Sequence, residues 1–230
     1  MSRFLIVFVK NPAPGSVKTR LHQGYSPAEA AELYRAFVRD CLEGCLSVDA
    51  DRRVICHDPP TAASETERLV GPGWEVRPQA PGDLGARMTE AFEWSFGEGA
   101  ESAVVLGSDA PTLPATHVDQ AFNLLVRSEI VLGPSTDGGY YLIGLSGPHP
   151  EVFAGIDWGT DSVFARTLER TAGLTLDLVP LWYDVDTPED LDLLVTHGTA
   201  LERSEHAQAA LHTRRCHADI HERRSAQADG

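Results

Sequence analysis

The sequence predicts an α/β domain built on a mostly parallel sheet. Short apolar runs alternate with helix-start signals through most of the chain. The first run, Arg3–Val9, is continuously apolar and bounded by charge, as in a strand buried on both faces. No internal repeat divides the 230 residues, a length that suits one sizeable domain with a short appendage.

Each element has a local reason. Ser26-Pro27-Ala28-Glu29 offers Ser as N-cap, Pro at the first helical position and Glu at the third, so a helix starts there and runs to about Ser47. Leu33, Phe37, Cys41 and Cys45 lie near one face of it, which assigns both cysteines to the core. Arg53–Cys56 and Trp74–Arg77 read as short strands, and Gly85–Phe96 as a helix. Ala103–Leu106 is a strand running into GSDAPTLP, followed by a helix over Thr116–Val126. Strands Ile130–Leu132 and Tyr140–Leu145 flank a Gly-Gly turn. A helix over Ser162–Thr171, a strand over Leu174–Val179 and a helix opening at Thr187-Pro188-Glu189-Asp190 complete the domain, expected to span 1–197. The tail, 198–230, is polar and partly helical. Five of the nine histidines lie from His197 onward, without a three-ligand context for metal, so the tail is expected to be solvated or packed on a partner and to fray at its end.

The net charge of −15 makes nucleic acid and anionic membrane improbable partners. FLIVFV lacks the length and flanks of a signal peptide, and no run approaches a membrane span. Four cysteines without a CxxC pair suit reduced thiols in the cytoplasm. An acidic protein that takes an anionic substrate must gather positive charge locally. Lys10 and Lys18 are the only lysines, and both lie in VKNPAPGSVKTR, just after the first strand. Lysine is a flexible point charge, whereas arginine is a planar fork.

In open α/β sheets ligands bind beyond the carboxyl ends of the strands, and several unusual stretches fall there. Pro14-Gly15 makes a shaped turn in which Gly15 permits close backbone approach, with Lys10, Lys18 and Arg20 as cations. The Walker pattern is absent. Asp109 ends its strand and can hold a hard divalent cation. Asp184 and Asp186, two apart, face one way and repel unless a cation or proton lies between them. Asp137-Gly138-Gly139-Tyr140 is a hairpin turn or a backbone approached closely by a ligand. QAPGDLGARM carries a turn, then Gly85 and Arg87 at a helix start. Each stretch has an ordinary alternative: a loop with solvated lysines, an N-cap or turn aspartate, a plain hairpin. Together they suit displacement at phosphorus or a sugar carbon with a phosphate-type leaving group.

FVKNPAPGSVKTRL, QAPGDLGARM, VVLGSDAPTLP, GPSTDGGYYLIGL and WYDVDTPEDL occur in this order across roughly residues 4–195. In these motifs the chain resembles the GT-A-like small bacterial transferases of the nucleotide-diphospho-sugar transferase superfamily, often labelled arsenosugar-biosynthesis glycosyltransferases. It is also similar to 2-phospholactate and molybdenum-cofactor guanylyltransferases. The resemblance implies a single-domain GT-A/Rossmann-like three-layer sandwich with a mixed, mostly parallel sheet. It implies that Lys18 meets phosphates and that Gln79 to Arg87, including Gly82 and Asp83, contact the nucleotide. Asp109, Asp184 and Asp186 would hold Mg²⁺ or Mn²⁺, and Asp137 to Tyr140 would line the acceptor or sugar side. Lys18 and Asp109 are the expected catalytic pair. GxVKTR stands where nucleotidyltransferases carry LxGGxGxRM, SDAP where glycosyltransferases carry D-x-D, and DVD is more typical of nucleotidyltransferases. The expected activity is metal-dependent transfer from a nucleotide or nucleotide-sugar donor to a small-molecule acceptor. Glycosyl transfer is placed first, nucleotidyl transfer with pyrophosphate release is the alternative, and a non-catalytic nucleotide-binding protein is a further one. A homodimer is compatible with this reading.

Overall fold

A computed structural model describes residues 2–204 and 209–228; the remaining tail positions, His206 among them, lie outside the described residues. The elements in order are β1 (Arg3–Lys10), α1 (Pro27–Cys45), β2 (Arg52–Asp58), α2 (Ala63–Val70), β3 (Glu75–Pro78), α3 (Leu84–Gly97), β4 (Ser102–Leu106) and α4 (Ala115–Leu124). They continue with β5 (Ile130–Pro134), β6 (Tyr140–Leu145), α5 (Val163–Arg170), β7 (Leu176–Leu178), α6 (Pro188–Arg203) and α7 (Leu211–Ala228). Among the described residues the strands form one sheet in the order β3-β2-β1-β4-β6-β5-β7. Only β6 runs antiparallel, pairing β4 on one side and β5 on the other. The mixed, mostly parallel sheet follows from this. β5 returns into β6 through a tight turn, whereas β1, β2 and β4 are linked by helical crossovers.

Side chains of β1 alternate between two cores. Leu5, Val7 and Val9 face α1, α4 and α6, while Phe4 and Ile6 face α3 and the segment around Phe153. Both faces are therefore covered, which is why this strand reads as an unbroken apolar run. The capping box at Ser26 is present, with Glu29 accepting from the Ser26 N–H at 2.7 Å. A second box at Thr187 and Asp190 starts α6. The four cysteines are free thiols, with Cys45 and Cys56 buried.

The tail departs from expectation. The boundary expected near residue 197 falls inside α6, which continues to Arg203, and α7 docks on α1 of the same chain. Asp40, buried on α1, accepts from the backbone N–H of His212 at 3.0 Å and of Thr213 at 2.8 Å, and from Thr213 Oγ1 at 2.6 Å. Ile220 is fully buried, and Arg224 pairs with Glu29 at 2.7 Å. Only Thr213 and Ile220 of α7 are buried, so its anchoring is largely polar and leaves little apolar periodicity to read.

Candidate active site

A cleft of about 830 Å³ opens at the carboxyl ends of β1, β2, β3 and β4. This is the edge at which the strand order departs from β1 in both directions and where α/β sheets bind ligands.

At its centre lies Lys18. Its backbone is left-handed (φ 47°, ψ 46°), and its side chain, only 4% exposed, reaches Asp109 Oδ1 at 2.6 Å and Asp186 Oδ1 at 2.9 Å. Burial disfavours the ammonium, but the adjacent Asp109 and Asp186 outweigh that, so its pKa lies above the ordinary lysine value. Burial likewise pushes the Asp186 carboxyl up, yet Lys18, and then Arg20 and Lys10, hold it below the usual carboxylate range. The Val185 N–H donates to the Asp109 carbonyl at 2.9 Å, which brings the Asp184–Asp186 segment to the end of β4. Asp184 accepts from Ser135 Oγ at 2.6 Å. Burial raises its pKa to about 7; the Ser135 hydrogen bond opposes the rise, and Asp109 and Asp137 add to it.

One flank is built by β2, β3 and the start of α3. Arg87 donates from Nη1 to Asp58 Oδ2 and to Gln79 Oε1, each at 3.0 Å, and from Nε to the Gly82 carbonyl at 3.1 Å. Gln79 is buried and donates to the Cys56 carbonyl at 2.8 Å. Gly82 has a left-handed φ of 114°. Gly85 admits Trp158, whose Nε1 would lie 2.8 Å from an added Cβ.

Lys10, Lys18, Arg20, Gln79, Gly82, Asp83, Arg87, Asp109, Asp137, Gly139, Tyr140, Asp184 and Asp186 all line this cleft. Pro14 and Gly15 do not. They form an exposed turn at the loop's far end, where a Cβ on Gly15 would meet nothing within 4 Å. Gly138 is also absent from the wall. An added Cβ there would overlap the Asp161 carbonyl oxygen, so this glycine serves packing. The Asp83 carboxylate caps α3, accepting from the Ala86 N–H at 2.9 Å. Asp137 closes the hairpin turn by accepting from the Gly139 N–H at 2.9 Å and also faces the cleft. Sequence reasoning missed Tyr34 and Ser108, which share a 2.7 Å hydrogen bond beneath the lysine loop, and also Asp58, Trp158 and Asp161. Asp58 ends β2, a strand-end position that could have revealed it.

The expected metal trio is not gathered. Among the described residues no three His, Cys, Asp or Glu side chains converge on an ion position; Asp109 and Asp186 instead point at Lys18. The carboxylate oxygens of Asp109, Asp184 and Asp186 at the strand ends nonetheless suit a hard cation. Mg²⁺ in particular is usually held by one or two carboxylates together with substrate phosphates and water, not by an all-protein cage.

The family model described as uncharacterized protein conserved in bacteria (DUF2064) matches residues 41–160, more than half of the chain. A 3-phospho-D-glycerate guanylyltransferase of Phenylobacterium zucineum (strain HLK1) is 32% identical over 184 residues, covering 75% of this chain and 81% of that protein. A 2-phospho-L-lactate guanylyltransferase of Methanothermobacter thermautotrophicus is 25% identical over 194 residues, covering 82% and 83%. The crystal structure of a Desulfovibrio desulfuricans G20 protein, provisionally named a nucleotide-diphospho-sugar transferase, superposes with a TM-score of 0.84 at 36% identity, covering 96% of this chain and 98% of that one. The chain belongs to the DUF2064 family and is a transferase related to the guanylyltransferases.

Proposed function

We propose that the chain is a nucleotidyltransferase that joins a nucleoside monophosphate to a hydroxyl-bearing small molecule and releases pyrophosphate. The observation that carries this reading is the Asp109–Lys18–Asp186 cluster beside Asp184 at the strand ends. Such a cluster suits charge handling at the α-phosphate, and the relatives named as guanylyltransferases favour it over glycosyl transfer, the reading placed first from sequence. Guanosine triphosphate is the donor to try first.

Arg20 and Lys10 offer charge for the triphosphate at the mouth, and the Gln79–Arg87 flank offers polar groups to the base and ribose. One or two of Asp109, Asp184 and Asp186, together with the substrate phosphates and water, would hold Mg²⁺ or Mn²⁺, which when bound neutralises phosphate oxygens. Lys18 is poised to leave one carboxylate for a phosphate oxygen without leaving the cleft. The acceptor oxygen bonds to the α-phosphorus, the bond from that phosphorus to the bridging oxygen breaks, pyrophosphate takes the electron pair, and the hydroxyl proton passes to water.

Thermal unfolding with nucleoside triphosphates, with and without Mg²⁺, tests the reading. Stabilisation that requires the metal is expected, about 2.7 kcal/mol at a hundredfold excess over Kd. No shift with any triphosphate contradicts it.

A further inference from the structure

Building on that reading, we infer that the acceptor is an uncharged, polyhydroxylated molecule of carbohydrate type, unlike the phosphocarboxylates in the names of the guanylyltransferase relatives. The cleft divides by charge. Its cations are Lys10, Lys18, Arg20 and Arg87, and three of them are already paired: Lys18 with Asp109 and Asp186, Arg20 with Asp186, and Arg87 with Asp58. Among the described residues only Lys10 of the four forms no ion pair. A triphosphate entering between the lysine loop and the start of α3 takes up these cations.

What remains for the acceptor is the opposite wall, made by β6, the β5–β6 turn and the loop before α5. That wall presents Asp137, Tyr140, Trp158, Thr160 and Asp161, and among the described residues it carries no Lys, Arg or His. A phosphocarboxylate brings roughly three negative charges at neutral pH and would meet aspartates with nothing to pair with. A polyol presents hydroxyl donors to carboxylates and to Thr160, and apolar C–H faces to an aromatic ring such as Trp158. Carboxylates that accept from hydroxyls form the stronger, charge-assisted kind of hydrogen bond.

The test is a pyrophosphate-release assay on the full, tag-free chain with guanosine and other triphosphates and Mg²⁺. One panel holds neutral polyols (pentoses, hexoses, inositol, glycerol), and the other holds 3-phosphoglycerate, 2-phospholactate and phosphoenolpyruvate. A neutral polyol is expected to exceed every phosphocarboxylate by at least about a hundredfold in kcat/KM. Asp161→Asn is expected to raise the KM for that polyol about tenfold while leaving the KM for the triphosphate within about twofold. Turnover with a phosphocarboxylate, or with no neutral polyol, overturns the inference and leaves the nucleotidyl reading standing if a triphosphate still binds. Absence of triphosphate binding overturns the nucleotidyl reading itself.

Discussion

Lys18 and Asp186 lie 168 residues apart in the chain, yet the lysine Nζ stands 2.9 Å from the carboxylate Oδ1 and only 2.6 Å from Asp109 Oδ1 on its other side. One ammonium therefore binds the loop after β1 to the ends of β4 and of the segment before α6. It also answers why the chain uses lysine there. A compact point charge sits between two carboxylates at 4% exposure, a geometry that a longer, planar guanidinium would have to rearrange.

Lys18→Arg is expected to reduce kcat/KM at least tenfold, about 1.4 kcal/mol of transition-state stabilisation. Lys18→Met is expected to lower stability by about 1–3 kcal/mol. That is less than for a fully buried pair, because Asp109 is 45% exposed and partly screened. Steady-state kinetics and urea unfolding check the two variants, and an Arg variant with unchanged kcat/KM removes the proposed role.

Asp184 gives the metal-free protein a pH signature. Its folded pKa, raised to about 7 by burial and then by Asp109 and Asp137, lies above the ordinary carboxylate value. The native state thus holds a proton that the unfolded chain has lost. The stabilisation is fully present below about pH 4 and disappears as pH rises through about 7. Asp184→Asn is expected to flatten the fall in stability between pH 5 and 8, read by chemical denaturation in a chelator. Equal slopes in the two proteins would sink the assignment.

Asp40→Ala removes the three hydrogen bonds that hold the start of α7. A loss of about 2 kcal/mol is expected, since burial of the Asp40 carboxylate already offsets part of their gain. Truncation after Arg203 uncovers the α1 surface and is expected to lower Tm or solubility. A truncated chain with wild-type Tm would show that α7 contributes nothing to the fold.

Arg87→Lys keeps the charge but cannot reach Asp58, Gln79 and the Gly82 carbonyl together. The triphosphate KM is expected to rise about tenfold with kcat within about threefold, a split that initial-rate kinetics resolves.

Much of this was legible in the residues. The RFLIVFV run, the two capping boxes and the strand-end aspartates placed most elements and the cleft's polar centre, because each signal is local. Pairing was not legible. Nothing in the spacing says that Lys18 answers Asp109 and Asp186, since β2, β3 and β4 intervene before Asp109 and β5, β6 and β7 follow before Asp186. The short helix α2 escaped notice because only Thr66 of it is buried. α7 read as a solvated or partner-packed tail because Asp40 and Arg224 anchor it through polar contacts. Gly138 looked like a ligand contact, yet its missing Cβ makes room for the Asp161 backbone.

The most direct test of the central claim is the identity of the leaving group. The protein is incubated with Mg²⁺ or Mn²⁺ and, separately, with nucleoside triphosphates and nucleotide sugars alongside a panel of hydroxyl acceptors, and both products are assayed. Pyrophosphate formed from a triphosphate, lost in Asp109→Asn, is the expected result. Nucleoside diphosphate released from a nucleotide sugar, with no pyrophosphate from any triphosphate, would contradict the account and restore glycosyl transfer.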